Sequence, residues 1–421
     1  MHAVPLDLPL SRLDDLRRRT VKVLFSEVAL GSTGHIAAVT VATIVAEDLS
    51  GSPLLSGAPG AAVVLGAALG AASLSRLMVG RGRRVGLSSG YVIGVFGALL
   101  AGAAVVTGSF PLLLLGSVFI GFGNASNQLS RYAAADMFPV ARRASAIGIV
   151  VWGATFGAII GPNLIAWAGE LGVSIGLPPL AGAYLLPIVF VGSAAILSFL
   201  MLRPDPYSLA DRSDLGADDR STAVSLRAVL SHKNVPVAMV SLITVQIVMT
   251  LIMTMTPLHM TAHGHGLAAV GLVISAHTFG MFALSPISGR LTDRFGSVRV
   301  ILSGLTVTAV AAVLSAFAPP EGGVILFLAL FLLGYGWNLG FVAGSALLTQ
   351  GLGLAERTRV EGLTDALIWS SAAAASLGSG IVVAAASYTA LGLLGAALVA
   401  VPAWLMLSRR RAVEAARPAT G

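Results

Sequence analysis

Four side chains of one stretch have the types and spacing to hold a soft ligand. Met249 and Met253 stand four residues apart, as do His277 and Met281. On helices, each pair occupies one face, one turn apart. Thioether and imidazole without thiolate or carboxylate suit Cu(I) better than Zn, Mg or Ca. The turn between the pairs adds His259, Met260, His263 and His265, a collecting site for such an ion. Methionine is also a flexible apolar filler, and turn histidines can simply be exposed, so spacing leaves both readings open. Two other ionisable groups, Glu27 and His35, lie within an apolar run. Such groups mark ion or proton paths when the run spans a membrane, and His titrates near neutral pH. Both are therefore candidates for coupling. The alternatives are neutralisation of Glu27 by Lys22 and a buried His35 hydrogen-bonded to Ser or Thr.

The elements that must position these groups follow from composition. Of 421 residues, 56% are hydrophobic and 11% charged, with mean hydropathy +0.88. A soluble domain is about 25% charged. The apolar runs reach ~20 residues, enough to cross a ~30 Å hydrocarbon core as helices. Twelve spans are expected: 21–47, 57–78, 86–107, 110–135, 144–168, 181–203, 236–258, 267–288, 298–318, 323–348, 362–386 and 388–408. The fold class is thus an all-α polytopic membrane protein with the lipid bilayer as its solvent. The start, MHAVPLDLPLSRLDDLRRRTVK, has no apolar stretch before its basic cluster, so no cleaved signal peptide is expected. The lack of cysteine excludes disulfides and thiolate metal sites. No enzyme constellation appears and no cofactor is expected; copper enters only as a substrate.

Charge tests the helix count. With the N-terminus inside, all 26 Lys and Arg fall on the cytoplasmic side, while outer loops such as 48–56 and 169–180 carry none. The positive-inside rule therefore predicts a multi-pass cell-membrane (inner-membrane) protein with both termini cytoplasmic. It also accounts for the net charge of +7 without nucleic acid as a partner. The expected organisation is a tail (1–20), a six-helix half (21–203), a cytoplasmic loop (204–235), a second half (236–408) and a tail (409–421). Residues 221–233 can form an amphipathic helix at the inner surface. The halves repeat weakly at offsets of 213–215 residues: Ile120–Asn124 with Leu333–Asn338, Arg142–Arg143 with Glu356–Arg357, and Gly82 with Gly296. An even helix number per half implies parallel repeats about an axis along the membrane normal.

The loop after span 8 reads G-x-x-x-D-R-x-G-x-x-R at Gly289, Asp293, Arg294, Gly296 and Arg299. Its glycines allow a tight turn and close helix approach. Its Asp can pair with Arg and sit against the positive end of a neighbouring helix, by symmetry helix 5 near Ala144. This loop resembles the signature of the major facilitator superfamily of transporters, which implies a twelve-helix bundle, alternating access and a cytoplasmic gate at this motif. The first copy is degraded, with Ser75 and Val79 at the Gly and Asp positions, so it lacks its acidic partner. Asp136 and Asp365 stand beside Arg131 and Arg359 as gate salt bridges. The resemblance also makes His35, Asn124, Asn127, Gln128, Tyr335, Trp337, Asn338 and Trp369 candidates to line the central cavity.

Helices 7 and 8, with M-x-x-x-M then H-x-x-x-M, are similar to the bacterial CcoA-type copper importers, a branch of that superfamily with riboflavin carriers among its relatives. That similarity implies copper uptake along Met249, Met253, His277 and Met281, with Met249 and His277 at one depth, roughly 15 Å below the outer surface at ~1.5 Å per residue. The alternative is proton-coupled transport of a small organic molecule. It is supported by Gly157-Ala158-Ile159-Ile160-Gly161-Pro162, which resembles part of the drug/proton antiporter motif in helix 5. Helix 4 departs from those antiporters, with Ile120 for Gln and no buried Arg in Ser117–Gly121. The expected state is a monomer acting on a metal ion or small molecule.

Overall fold

The computed structural model describes residues 9–51, 55–210, 232, 234–265, 267–319 and 323–406. Among them, twelve helices are long and apolar enough to cross a bilayer. They are α1 (Ser11–Ser50), α2 (Ala58–Arg81), α3 (Arg83–Thr107), α4 (Phe110–Asp136), α5 (Val140–Asn163), α6 (Pro179–Met201), α7 (Asn234–Ala262), α8 (Ala269–Phe295), α9 (Ser297–Ala316), α10 (Val324–Leu348), α11 (Leu354–Ala385) and α12 (Tyr388–Met406). The number agrees with the twelve expected spans. The amphipathic helix expected in 221–233 and the tail 409–421 lie outside the described residues, apart from His232.

Several ends differ from expectation, among them the start of α11, which lies at Leu354 and not at 362. α1 begins well before residue 21, because 11–20 continue it as a charged overhang. Arg17 ties that overhang down, its Nε donating to the Leu209 carbonyl at 3.2 Å. α5 stops at Asn163, short of 168, because Pro162 lacks the amide a continuing helix needs. A separate helical segment, Ile165–Ser174, follows. α8 runs on to Phe295 but breaks between Phe282 and Ser285, just before Pro286.

The described residues form two compact units. One comprises those within Met1–Phe138, Ile149–Leu215 and Arg357–Ser370; the other those within Pro139–Gly148, Gly216–Glu356 and Ser371–Gly421. These units are not the two sequence halves. The first residues of α5 belong with the second unit, and the 357–370 stretch of α11 belongs with the first. Large apolar side chains such as Leu65, Val92 and Ile196 remain exposed, as suits helices solvated by lipid.

With little hydrophobic drive between helices in lipid, association depends on close packing of small residues. In the first unit α4 packs on α3 and α2; in the second α10 packs on α9, α8 and α7. The α3–α4 crossing shows the limit. A Cβ on Gly116 would lie 2.7 Å from the Gly97 carbonyl oxygen and 2.8 Å from the Ala101 nitrogen. The α2–α3 and α8–α9 joints use Gly82 at φ 90 and Gly296 at φ 87, conformations that only glycine adopts readily.

Gly116→Val should therefore force α3 and α4 apart and destabilise the protein by about 1–3 kcal/mol, the usual cost of overpacking. Gly380→Ala, where a Cβ meets nothing within 4 Å, should leave stability unchanged or slightly raised. Thermal unfolding of the two purified variants checks this, and equal melting would show that the crossing is not limited by backbone contact.

Candidate gate and substrate site

The second copy of the loop motif closes on the start of α5. Asp293 accepts from the Ala144 amide at 3.1 Å and from the Ser145 amide at 2.9 Å. A carboxylate placed there satisfies orphan helix amides and faces the positive end of the helix dipole. Gly289 permits the approach, since its Cβ would lie 2.8 Å from the Ser145 Cα. The arginines of the motif do not complete an ion pair with Asp293 among the described residues. Arg294 is exposed over the Phe295 ring, and Arg299 donates at 3.4 Å to the Phe295 carbonyl.

At the degraded first copy, acids are recruited from elsewhere. Arg83 Nε donates to Asp136 Oδ2 at 2.9 Å, and its Nη2 pairs with Glu361. Arg357 Nη1 meets the other Asp136 oxygen at 3.1 Å. All four side chains are fully buried, and their formal charges cancel. Beside them Arg131 binds Asp365 through two nitrogens, at 2.7 and 3.1 Å, and the Tyr132 hydroxyl reaches the same carboxylate. Asp136 thus pairs with Arg83 and Arg357 and not with its sequence neighbour Arg131, and Asp365 pairs with Arg131 and not with its sequence neighbour Arg359. Asp205 caps α3 by accepting from the Arg83 and Arg84 amides at 3.2 and 3.0 Å. Tyr207 hydrogen-bonds Thr358, and burial raises the pKa of its phenol, keeping it protonated. Sequence reading missed Arg83, Glu361, Arg357, Asp205 and Tyr207 as one assembly. The available signal was the unusual density of both charge signs at span ends.

Deeper in the first unit, α1 and α4 share a polar seam. Glu27 is fully buried; Ser130 donates to its Oε1 at 2.8 Å, and its Oε2 has no partner. Asn127 donates to Ser32 at 2.7 Å and accepts from the Tyr91 hydroxyl at 3.3 Å. Gly31 makes room, as its Cβ would fall 2.6 Å from the Asn127 oxygen. His35, about 12 Å along α1 from Glu27 at ~1.5 Å per residue, is partly exposed with Nδ1 unpartnered. Lys22 makes no ion pair with Glu27. Asn124 is buried on α4. Gly157 and Gly161 of α5 back directly onto α1 at Ser32 and Thr33, so these glycines serve helix packing.

In the second unit, His277 is buried and its Nδ1 lies 3.0 Å from the Leu330 carbonyl of α10, leaving Nε2 unpartnered. Met249 is buried, while Met253 and Met281 are partly exposed. α7 and α8 pack mainly on α10 and little on each other. Asn338 is fully buried and holds the α8 break: it donates to the Met281 carbonyl and Ser285 at 2.6 Å each and accepts from Ser288 at 2.6 Å. Non-helical backbone within a span must find such partners. Tyr335 and Trp369 are partly exposed. Trp337, the residue before Asn338, donates to Gln246 at 2.9 Å and stacks on Phe341 at 4.4 Å, with Phe282 edge-on at 5.9 Å. At the far end of α7, His259 stacks on Tyr388 at 4.1 Å and neighbours His263. Among the described residues, no three His, Asp or Glu side chains gather to hold a metal ion.

Twelve spans, two compact units and a motif-bearing loop capping a helix define a polytopic membrane protein. The Major Facilitator Superfamily profile matches residues 23–271 and 238–421, and the chain belongs to that family. It is 38% identical over 386 residues to the uncharacterized MFS-type transporter YdeG of Bacillus subtilis strain 168, covering 91% of this chain and 90% of YdeG. It is 29% identical over 410 residues to the riboflavin transporter RfnT of Brucella anthropi, covering 95% and 98%. Among solved structures, the human organic anion transporter MFSD10 superposes with a TM-score of 0.72 at 17% identity, over 93% of this chain and 99% of that one, a likeness of fold.

The charge network yields a stability test. Asp136→Asn leaves two guanidiniums buried with one remaining acid, Glu361, and should cost about 3–5 kcal/mol, as for one partner removed from a buried pair. Replacing Arg83 and Glu361 together by Met keeps the balance of charge and should cost much less. Thermal unfolding in detergent distinguishes the two, and an Asp136→Asn protein that melts with wild type would show that the network does not support the fold.

Proposed function

We propose that this protein carries a small organic molecule across the cell membrane by alternating access, coupled to protonation of Glu27. The observation that carries this reading is the carboxyl of Glu27, buried in a span with one oxygen accepting from Ser130 and the other unpartnered. A lone charge in that setting is expensive, so proton loss and gain there bias the conformation strongly. The adjoining Asn127, Ser32 and Tyr91 extend the polar seam across α4, α1 and α3. The substrate is heteroaromatic, of riboflavin-like size. The similarity to RfnT supports that class, while Trp337 and Phe341, both buried, stack on each other beside the Gln246 amide. The Arg-rich helix ends face the cytoplasm. Asp293 on α5 and the Arg83–Asp136–Arg357–Glu361 network act there as latches that release on opening to the cytoplasm.

Proteoliposomes with radiolabelled riboflavin test the reading. Wild type should accumulate it by about tenfold per pH unit of gradient for one coupled proton. Glu27→Gln should still bind and exchange it but lose gradient-driven accumulation. An unaltered pH profile in Glu27→Gln would remove the coupling role, and no riboflavin transport by wild type would remove the flavin-like substrate.

One observation favours a second reading, copper uptake of the CcoA type. The His277 Nε2 is buried without a hydrogen-bond partner, one turn from Met281. With Nδ1 held by a carbonyl, Nε2 is the nitrogen available to a metal. On that reading Met249→Leu, which keeps volume within about 1.5 kcal/mol of packing cost, abolishes uptake of radioactive copper. His277→Gln does the same, and the double variant is little worse than either single. Copper uptake by Met249→Leu cells equal to wild type sinks it.

A further inference from the structure

An apolar groove of about 750 Å³ opens between the first turns of α3 and the last turns of α6. Val85, Ser89, Val92, Ala195, Ile196 and Phe199 line it. Its size falls in the ~300–1,000 Å³ range of small-ligand sites. Val92, Ile196 and Phe199 are exposed, so the groove faces the space that lipid tails fill. At its charged mouth two guanidiniums converge on one ring: Arg84 lies 5.7 Å and Arg203 5.6 Å from the Phe199 centroid. Neither side chain has a carboxylate partner among the described residues. The adjacent acid, Asp205, has its oxygens on the backbone amides of Arg83, Arg84 and Tyr207.

We propose that this groove binds one anionic phospholipid, its phosphate between Arg84 and Arg203 and an acyl chain along α3 and α6. Two cations packed against one ring repel each other, and a phosphate bound to both offsets that repulsion. Basic pockets at the ends of membrane helices select anionic headgroups in this way. The apolar continuation of the groove favours a lipid over a free anion, since a soluble phosphate gains nothing from Val92 or Ile196. A zwitterionic lipid presents a cation beside its phosphate and satisfies the pair less well. The site stands apart from the transport reading, although Arg84 directly follows the network residue Arg83.

Native mass spectrometry of the purified full chain tests this with dioleoylphosphatidylglycerol and dioleoylphosphatidylcholine as probes. Wild type should retain one phosphatidylglycerol at least about tenfold more tightly than phosphatidylcholine. At ~1 kcal/mol for each basic residue near the headgroup, R84Q/R203Q should weaken phosphatidylglycerol binding roughly thirtyfold. Ser89→Trp, which fills the groove and leaves both arginines, should release the lipid. R12Q/R18Q, the same charge change on exposed residues of α1, should keep the preference. The proposal is overturned by no preference in wild type, by a preference that survives R84Q/R203Q or Ser89→Trp, or by its loss in R12Q/R18Q. Competition by glycerol 3-phosphate at the lipid's own concentration would also overturn it, because the site would then recognise a free anion.

Discussion

Four charges shut away from water set the terms for one end of this molecule. Arg83, Asp136, Arg357 and Glu361 are each fully buried and balance to zero. Desolvating such groups costs several kcal/mol per ion, and their mutual attraction recovers this only with good geometry. The arrangement is consequently a weak source of net stability but a strict condition on structure, since removing any one member strands its partners. Much of the nearby architecture serves that condition. Asp205 fixes the backbone of Arg83, Tyr207 reaches Thr358, and Gly82 turns the chain so that α3 starts where its first side chain can enter the cluster.

The two internal copies hold their helix ends by different chemistry. In the second unit one carboxylate, Asp293, caps α5 through two backbone amides. The equivalent position in the first copy is Val79, which can accept nothing, and there the ionic cluster stands in its place. At the corresponding positions of the second copy stand one cation and no acid. Gln350 donates to Ser297 at 3.4 Å, and Arg143 donates to the Thr349 carbonyl at 2.8 Å. A carboxylate on helix amides and a multi-centre ion cluster differ in extent: the first rests on two backbone amides, whereas the second joins four side chains through three ion pairs.

Within the spans, polar groups are rationed. In the first unit they form the seam from Glu27 to Ser32; in the second they gather at Asn338 and at the Gln246–Trp337 pair. Asn338 illustrates how backbone economy competes with function in lipid. Its amide faces three donors and acceptors around the α8 break, so a residue that reads as cavity lining is occupied in satisfying interrupted backbone. The neighbouring Trp337 is likewise occupied: it is buried, its ring stacked on Phe341 and its N–H on Gln246.

The sequence by itself determined what the bilayer imposes along the chain. Twelve apolar runs, the placement of arginines at alternate ends, the glycines at Gly82 and Gly296 and the motif ending at Arg299 can all be read in one dimension, because span length, hydropathy and positive φ are local demands. The contact of Asp293 with α5 could also be read, since the internal repeat supplies the geometry. Only the tertiary structure decided who meets whom. Asp136 reaches Arg83 and Arg357, 53 and 221 residues away, and not the nearer Arg131. His277 turns to Leu330 on α10, although helix periodicity sets it level with Met249 on α7. Each residue turns a helix by about 100°, so a partner depends on the rotation and neighbours of every helix, and those are fixed by close packing at glycines whose contacts are non-local.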